Sequence, residues 1–412
     1  MKPTYSFIIY ICVIGLFFSG ALYGDTPAYP KRLTLHLSSQ TQANPSFVMG
    51  LIHGINGQQP ADDVIDQAGF DYWRSGRTAE DFIARLQQRK APYQFVLADS
   101  WGFGEHMKPP HELKTEWQNH VRQLVRALKD KVWIWEIWNE PDLKHFWRFS
   151  RKEYFETWKI AHDVIREELG DTALIAGPSF VKFDKEYLQD FLDFALQENL
   201  QVDVLTWHSL HTRISAIPEN VAYVRHHFMD NPRYTPLKIK RIHIDEFGGR
   251  WSQYSPGTTL TYLWQLENAR IDAAAKACWP NLEESLYYCD SDTLSGLLTD
   301  DLRAKRAPWW LFAKYNDSRN AVRLMIKGQT VWLPALAWED DHGRAQMLFG
   351  LAEASNAPDN ITVDIDGPYQ VIKAQRLSDQ GEAPSDGFVD LQPQAAFALK
   401  AGDVIWLILQ RP

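Results

Sequence analysis

The chain has 412 residues, of which 45% are hydrophobic and 13% aromatic, enough to build a large core. Its net charge of −9 argues against a nucleic-acid partner, which needs a basic face, and mildly disfavours a strongly anionic polysaccharide. The chain holds 17 tryptophans, of which at least half are expected to pack in the core.

The first residues are typical of a secretory signal peptide. Lys2 supplies a positive charge, residues 7–18 form an apolar run, and Ser19-Gly20-Ala21 offers small residues for cleavage. We therefore predict a signal peptide over residues 1–24 and a secreted or periplasmic protein with no membrane span after cleavage. An uncleaved anchor is the alternative, because the apolar run nearly reaches the length that spans a bilayer.

From residue 46 onwards, strand-like and helix-like segments alternate. The predicted strands are 47–54, 69–75, 93–99, 132–139, 173–177, 202–208, 240–246 and 284–290. The predicted helices between them include 111–130, 151–169, 185–199 and 258–277. Strands separated by helices over residues 46–320 predict an α/β protein with a (β/α)8 TIM barrel. A doubly wound sheet is the alternative, but the chain has no Gly-rich phosphate loop.

After residue 320 the pattern changes to short strands and turn signals such as Asp366-Gly367-Pro368. The predicted strands are 321–327, 330–338, 345–352, 360–365, 370–377 and 396–409. No helical period occurs there, so we predict a C-terminal antiparallel β-sandwich domain over residues 321–412. Residues 25–45 contain one alternating segment, 32–38, which is expected to join this sandwich.

The most informative stretch is WEIWNEPD at residues 135–142. An aromatic, β-branched strand is stopped by Pro141, which lacks a backbone N–H, so Glu140 stands at the strand end. Surrounding tryptophan rings exclude water and are expected to raise the pKa of Glu140. A carboxyl kept protonated in this way suits a general acid that protonates a sugar oxygen.

A second strand ends on a carboxylate at Glu246, where Gly248 and Gly249 break the ladder. Glu246 lies 106 positions after Glu140, which corresponds to three βα units of roughly 30 to 35 residues. The two glutamates would therefore end strands n and n+3 of one barrel. Paired carboxylates at the C-terminal rim of a barrel are what glycoside hydrolysis requires.

The segment around Glu140 resembles the acid/base strand of clan A glycoside hydrolases and is most like family 39, which includes β-xylosidases. The resemblance covers roughly residues 46–320. It implies that Glu140 is the acid/base at the end of strand four and Glu246 the nucleophile at the end of strand seven. It also implies that Arg74, in strand two, supports the nucleophile and that His208 is the active-site histidine ending strand six.

The resemblance and the motifs suggest further sugar-binding residues. Asn139, beside the acid, can donate to a sugar 2-hydroxyl. Trp207 lies in the segment that ends in His208, and Tyr288 is the closest match to a tryptophan that the family carries on strand eight. Trp101, after strand three, is a candidate subsite platform, with core packing as an equally good interpretation.

Two other carboxyls flank the site residues. Glu136 shares a strand face with Glu140 and is expected to lie deeper in the barrel, in a buried polar network with Arg74. Asp245 alternates with Glu246 and is expected to face the helical layer.

The sequence predicts no cofactor and no metal, because its histidines fit no compact metal-ligand spacing. Cys12 lies in the signal segment. Cys278 and Cys289 could form a disulfide in an oxidising compartment or remain two buried thiols.

The leading function hypothesis is a retaining glycoside hydrolase that acts on a polysaccharide or oligosaccharide. A non-catalytic carbohydrate-binding protein on a hydrolase scaffold is the alternative, because fold does not fix function. A metal-dependent hydrolase is a third and weaker option.

Overall fold

The computed structural model describes residues 31–45, 47–105, 107–210, 213–340, 342–353 and 360–411. The predicted signal peptide over residues 1–24, with Cys12, lies outside the described residues. Within those ranges, no helix has the combined length and apolar character needed to cross a membrane.

Strand β1 (Arg32–Gln42) precedes a closed barrel of parallel strands, each hydrogen-bonded to the next in chain order and the last to the first. The barrel strands are β2 (Val48–Ile52), β3 (Tyr72–Ser75), β4 (Tyr93–Val96), β5 (Ile134–Glu136), β6 (Leu174–Phe180), β7 (Val204–Ser209), β8 (Arg241–Phe247) and β9 (Ala273–Lys276). The predicted TIM barrel is confirmed, and barrel closure excludes a doubly wound sheet.

Helices follow every barrel strand and cover its outer face. They are α1 (Asp62–Ala68), α2 (Glu80–Gln88), α3 (Leu97–Trp101), α4 (Lys114–Leu128), α5 (Arg151–Leu169), α6 (Lys185–Gln197), α7 (Ala216–Val224), α8 (Pro256–Ala269) and α9 (Ala307–Asn316). In α4 the buried side chains are Trp117, Val121, Val125 and Leu128, a helical period that faces the barrel. Helix α5 begins at a capping box, in which Ser150 and Glu153 satisfy each other's backbone N–H groups.

The eighth strand differs from the prediction. It is Ala273–Lys276, inside the segment predicted as helix, whereas residues 284–290 lie in the loop that follows. Three alanines have high helix propensity and no β-branching, so local sequence favours a helix there. Parallel pairing of this segment with β2 on one side and β8 on the other makes it a strand.

The C-terminal strands, with β1, form a nine-stranded sheet in the described residues. They are β10 (Val322–Lys327), β11 (Ala335–Glu339), β12 (Ala345–Gly350), β13 (Asn360–Asp366), β14 (Gln370–Leu377), β15 (Val389–Leu391), β16 (Ala396–Lys400) and β17 (Val404–Gln410). All pairs are antiparallel except that of β1 with β13.

This sheet folds over on itself. Strands β12 and β16 lie five places apart in the strand order, roughly 24 Å in a flat sheet. Phe349 of β12 and Phe397 of β16 nevertheless have ring centroids only 5.8 Å apart. The two halves therefore face each other across a common core, which confirms the predicted sandwich.

The outer face of the sandwich packs on the barrel helices. Trp338 and Trp406 of the sheet belong to the same buried cluster as the barrel core. A buried ion pair crosses this boundary, because Arg323 Nη2 of β10 lies 2.6 Å from Glu267 Oε1 of α8. The Tyr315 hydroxyl of α9 donates to the same oxygen at 2.8 Å.

Candidate active site

The carboxyl-terminal ends of the barrel strands surround a cavity of about 780 Å³. Its lining includes Arg74, Asn139, Glu140 and Glu246 from strand ends. Glu140 follows the fourth barrel strand, and Glu246 lies in the seventh. The barrel therefore brings together two glutamates that are far apart in the sequence.

The two carboxylates are close neighbours, with His208 between them. One oxygen of each carboxylate and one ring nitrogen of His208 all lie within 4.8 Å of one another. Nδ1 of His208 is 2.9 Å from Glu140 Oε1 and 3.7 Å from Glu246 Oε2. His208 is therefore within hydrogen-bond distance of Glu140. If His208 is protonated, its positive charge lies beside Glu246.

Glu140 has both a strained backbone and an environment that favours its protonated form. Its φ is +45°, in the left-handed region, and its backbone N–H donates to the Ser179 carbonyl at 2.9 Å. Such strain in a non-glycine residue persists only where surrounding contacts impose it, commonly at functional sites. Burial raises the pKa of Glu140 to about 7, with the Asp142 charge adding to it and Arg74 and His145 opposing it.

Arg74 is the buried cation of the site. Its Nη1 donates to Glu246 Oε1 at 2.7 Å, and its Nε donates to Glu136 Oε2 at 2.8 Å. Its Nη2 donates both to the second oxygen of Glu136 and to Asn139 Oδ1. Arg74 thus makes the contact with the nucleophile candidate that the resemblance implies, and Glu136 lies in the expected buried network.

The Arg74 charge favours the ionised forms of both Glu136 and Glu246, but it outweighs the effect of burial only at Glu136. Burial would raise the pKa of Glu136, but the charge and hydrogen bonds of Arg74 outweigh burial and lower it. Burial raises the pKa of Glu246, as does the Glu140 charge, while His208 and Arg74 oppose this. Protonation of Glu140 removes the charge with which Glu140 raises the pKa of Glu246, whereas His208 and Arg74 still favour the ionised form of Glu246.

The amide of Asn139 is oriented by its contact with Arg74. A guanidinium has donors only, so the Asn139 atom 2.7 Å from Nη2 must be the carbonyl oxygen. The amide nitrogen is then directed to the other side of the side chain, and Asn139 lines the cavity. A sugar hydroxyl beside Glu140 would meet a hydrogen-bond donor there.

Asp245 corrects one expectation, since it faces the barrel interior and not the helices. Trp207 pairs with Ile244 and His208 pairs with Glu246, so Asp245 is an extra residue in a β-bulge. The bulge breaks the alternation of side chains and leaves Asp245 Oδ2 3.6 Å from Arg74 Nε. Burial raises the pKa of Asp245 to about 7, with the Glu136 charge adding to it.

Four predicted sugar-binding residues do not line this cavity, namely Trp101, Trp207, Tyr288 and His208, the last of which is buried against Glu140. Trp207 is buried on the opposite strand face from His208 and packs on Phe183, with centroids 5.0 Å apart. The Trp101 indole donates to the Lys108 carbonyl and packs on Trp117. Of the two interpretations of Trp101, the structure therefore shows core packing and not a subsite platform.

Tyr288 is fully buried beneath the cavity wall. Its hydroxyl lies 3.2 Å from carboxylate oxygens of Asp300 and Glu382, so it anchors the loop after the eighth strand. The aromatic side chains of this loop that line the cavity are Trp279 and Tyr287. Trp279 comes three residues after Lys276, the last residue of β9. The sequence prediction placed the eighth strand at 284–290 and therefore did not identify Trp279 as a cavity residue.

A disulfide closes the loop after the eighth strand. Cys278 and Cys289 are bonded, with Cα atoms 5.1 Å apart, so the alternative of two free thiols is excluded in this structure. Both cysteines line the cavity, and Arg77 Nη2 donates to the Cys289 carbonyl at 2.8 Å. The bridge therefore fixes the wall that carries Trp279 and Tyr287.

Among the described residues, one group of side chains could hold a metal ion, namely Glu140, His208 and Glu246. These three are the proposed catalytic carboxyls and the histidine between them. The Arg74 cation, 2.7 Å from Glu246, opposes a second positive charge at this point. The contacts of Glu140 with His208 and of Glu246 with Arg74 therefore fit a pair of hydrogen-bonded carboxyls better than a metal site.

The structure has a parallel barrel with Glu140 after its fourth strand and Glu246 in its seventh. This is the arrangement expected from the resemblance of the sequence to clan A glycoside hydrolases. Comparison with known families narrows this class. The family model described as "Glycosyl hydrolases family 39" matches residues 100–256, which include both Glu140 and Glu246. The resemblance to family 39 is thereby confirmed.

Two β-xylosidases are similar to part of the chain. The protein from Geobacillus stearothermophilus is 23% identical over 141 residues, which are 31% of this chain and 28% of that protein. The protein from Caldicellulosiruptor saccharolyticus is 29% identical over 118 residues, 27% of this chain and 23% of that protein. The matched segments thus span about a quarter of either relative.

Solved structures match nearly the whole chain. N2152 from Neocallimastix frontalis has a TM-score of 0.73 at 16% identity, covering 92% of this chain and 100% of that one. The family 39 enzyme from Xanthomonas axonopodis pv. citri has a TM-score of 0.62 at 14% identity, covering 92% and 97%. These likenesses extend the shared fold through the barrel and the sandwich.

Proposed function

We propose that the protein is a retaining glycoside hydrolase that cleaves O-glycosidic bonds in a polysaccharide or oligosaccharide. One observation carries the proposal. An oxygen of Glu140 and an oxygen of Glu246 lie within 4.8 Å of each other at the end of the barrel, where burial raises the pKa of Glu140 to about 7 and Arg74 donates a hydrogen bond to Glu246. Retaining enzymes hold their carboxyl groups about 5–5.5 Å apart, whereas inverting enzymes need about 6.5–9.5 Å to admit a water.

The reaction proceeds in two displacements. Glu246 attacks the anomeric carbon while Glu140 gives its proton to the leaving glycosidic oxygen, so the C–O bond breaks and a glycosyl ester forms on Glu246. Glu140, now a carboxylate, takes a proton from water. The resulting hydroxide attacks the anomeric carbon from the face that the leaving group vacated, and Glu246 departs as a carboxylate.

The neighbouring residues support these roles through the geometry already described. Arg74 holds Glu246 as an anion and in position, which an attacking nucleophile requires. Asn139 presents its amide nitrogen towards the place of a 2-hydroxyl, where hydrogen bonds strengthen in the transition state. We propose both as substrate-site residues, with His208 as the group that bonds to Glu140.

The names of the similar proteins suggest the first substrates to try. Both sequence relatives are β-xylosidases, so we propose β-xylosides and xylo-oligosaccharides as the starting set. Other neighbours in fold include a glucosidase from Croceicoccus marinus, so β-glucosides belong in the same screen. No observation supports the non-catalytic alternative, and Glu140, Glu246 and Arg74 all line the same cavity.

The test compares two variants on two kinds of substrate. Glu140→Ala should lose activity on natural oligosaccharides, yet still form the glycosyl-enzyme from aryl glycosides with good leaving groups. Azide should then yield a glycosyl azide of retained configuration, because a small nucleophile needs no general base. Glu246→Gln should lose at least about 10³-fold on every substrate, because nothing replaces the nucleophile.

Controls separate this mechanism from the alternatives. Glu186→Ala, an exposed glutamate on α6, should behave as the wild type. A chelator should leave wild-type turnover unchanged, whereas its loss would favour the metal-dependent alternative. Equal losses in the Glu140 variant on both substrate types would contradict its acid/base role, and a product of inverted configuration would contradict retention.

We also propose that residues 1–24 direct export. The positive, apolar and small-residue regions of that segment support it. N-terminal sequencing of the protein recovered outside the cytoplasm should begin after the apolar run, and an intact start at Met1 would contradict cleavage.

A further inference from the structure

One tryptophan is set apart from the others by its exposure. All 17 tryptophans lie within the described residues, and Trp251 alone among them has an exposed side chain, at 74%. The remaining indoles are buried or half-buried in the core and at packing boundaries. An exposed aromatic ring is not by itself a binding site, so its position in the fold decides what it can bind.

Trp251 lies at the rim of the candidate active site. It forms the middle of a single helical turn, Arg250–Ser252, which begins three residues after the end of β8 and only four after Glu246. The turn is therefore held close to the nucleophile candidate by the strand that carries it. It stands at the carboxyl-terminal face of the barrel, where substrates bind in this fold.

Three contacts tie the Trp251 turn to the disulfide-closed loop. The Trp279 indole donates to the Gly248 carbonyl at 2.9 Å, and the Gln253 amide donates to the Pro280 carbonyl at 3.0 Å. Arg250 forms an ion pair with Glu284 of that loop. The two loops therefore make one continuous surface beside the cavity.

The second exposed ring belongs to this same surface. Tyr287 is 50% exposed and also lines the cavity. Among the phenylalanine, tyrosine and tryptophan side chains of the described residues, Tyr287 and Trp251 are the ones that are exposed. Trp279 is half-buried, lines the same cavity as Tyr287 and the two glutamates, and donates to the Gly248 carbonyl beside the Trp251 turn.

The surroundings of Trp251 suit a sugar ring. The Arg250 guanidinium covers the indole, 4.7 Å from its centroid, and Glu284 neutralises that charge. The exposed remainder of the indole offers a flat apolar surface, on which the C–H groups of a pyranose can pack while its hydroxyls remain in water. Polar Arg250 and Glu284 side chains at the edge can meet those hydroxyls.

We propose that Trp251 and Tyr287 form a sugar-binding platform outside the cleavage site, which holds further residues of a glycan chain whose reacting residue occupies the cavity. The proposal rests on the proposed glycoside hydrolase function and specifies its substrate as an extended saccharide. Continuity of the platform with the cavity, through Tyr287 and Trp279, favours a glycan over a protein partner.

The test measures how activity depends on chain length. For each protein, kcat/KM is determined on an aryl monoglycoside and on a series of oligosaccharides of the same sugar up to the polymer. In Trp251→Ala the ratio of the polymer value to the monoglycoside value should fall about tenfold, as expected for the loss of roughly 1.4 kcal/mol of stacking. Trp251→Phe should restore most of the ratio. Val389→Ala, which truncates a 62% exposed residue of β15, should match the wild type.

The outcomes separate this proposal from the function on which it rests. An unchanged ratio in Trp251→Ala, with an active wild type, overturns the platform and leaves the hydrolase intact. A change of oligomeric state in that variant, seen by light scattering, overturns the platform in favour of a protein interface.

Should the wild type hydrolyse no glycoside, electrophoresis in gels that contain soluble polysaccharide decides the matter. Retardation of the wild type that is lost in Trp251→Ala supports the platform without catalysis. Equal mobility of the two proteins across the polysaccharide set overturns it.

Discussion

Replacing Glu140 with glutamine should stabilise the protein at alkaline pH while removing the proposed general acid. Burial raises the pKa of Glu140 from its ordinary value of 4.5 to about 7. The folded state therefore keeps a proton that the unfolded chain releases as pH rises above 4.5, and folding loses free energy across that window. The difference between 4.5 and about 7, at about 1.4 kcal/mol per pKa unit, makes the full loss about 3.5 kcal/mol, of which about 3 kcal/mol falls between pH 4.5 and pH 8.

Glutamine has the same shape but no proton to lose, so the variant should escape this loss. The free energy of unfolding, measured in guanidinium chloride, should therefore favour Glu140→Gln by up to about 3 kcal/mol more at pH 8 than at pH 4.5. Glu186→Gln, at an exposed position of α6, is the matched control and should keep the pH dependence of the wild type. The reasoning would be refuted if the difference between Glu140→Gln and wild type were the same at both pH values, or reversed.

Two further perturbations test the buried network and the cavity wall. Arg74→Met should lower the free energy of unfolding by about 3–5 kcal/mol, because it leaves Glu136 charged and without its ion-pair partner in the barrel. The variant should also move the acidic limb of the pH profile of kcat/KM to higher pH, because loss of the Arg74 charge raises the pKa of Glu246. Stability equal to the wild type would show that Arg74 does not carry this charge balance. The double change Cys278→Ser and Cys289→Ser should cost up to about 3 kcal/mol of stability, because the disulfide closes a loop with a sequence separation of 11. The loss should appear as a lower melting temperature. An unchanged melting temperature would show that the bridge does not constrain the unfolded chain.

Much of the fold could be predicted because its signals are local. Alternation of strand and helix periods identifies a barrel, and the change to short strands after residue 320 identifies the sandwich. The eighth strand could not be predicted, since Ala273–Lys276 has a helix-forming composition and becomes a strand only through its two neighbours. Because the eighth strand was predicted at 284–290, Tyr288 was expected in the sugar site, whereas Trp279 lines the cavity and Tyr288 does not.

The site divides in the same way. Glu140 and Glu246 were recognisable because a strand of known period ends at each, and parallel strands deliver their carboxyl ends to one rim. Asp245 was assigned to the wrong face, because a β-bulge against β7 is a property of pairing and leaves no mark on the strand itself.

What the sequence determined by itself was therefore the set of reactive groups and the layered fold that gathers them, since both depend on residue type and period along the chain. Only the tertiary structure decided that an oxygen of each carboxyl lies within 4.8 Å of the other, that Glu136 and Glu246 share Arg74, and that Trp251 is exposed. Those properties depend on distances between distant segments and on the exclusion of water, which arise when the barrel closes and its loops pack against each other.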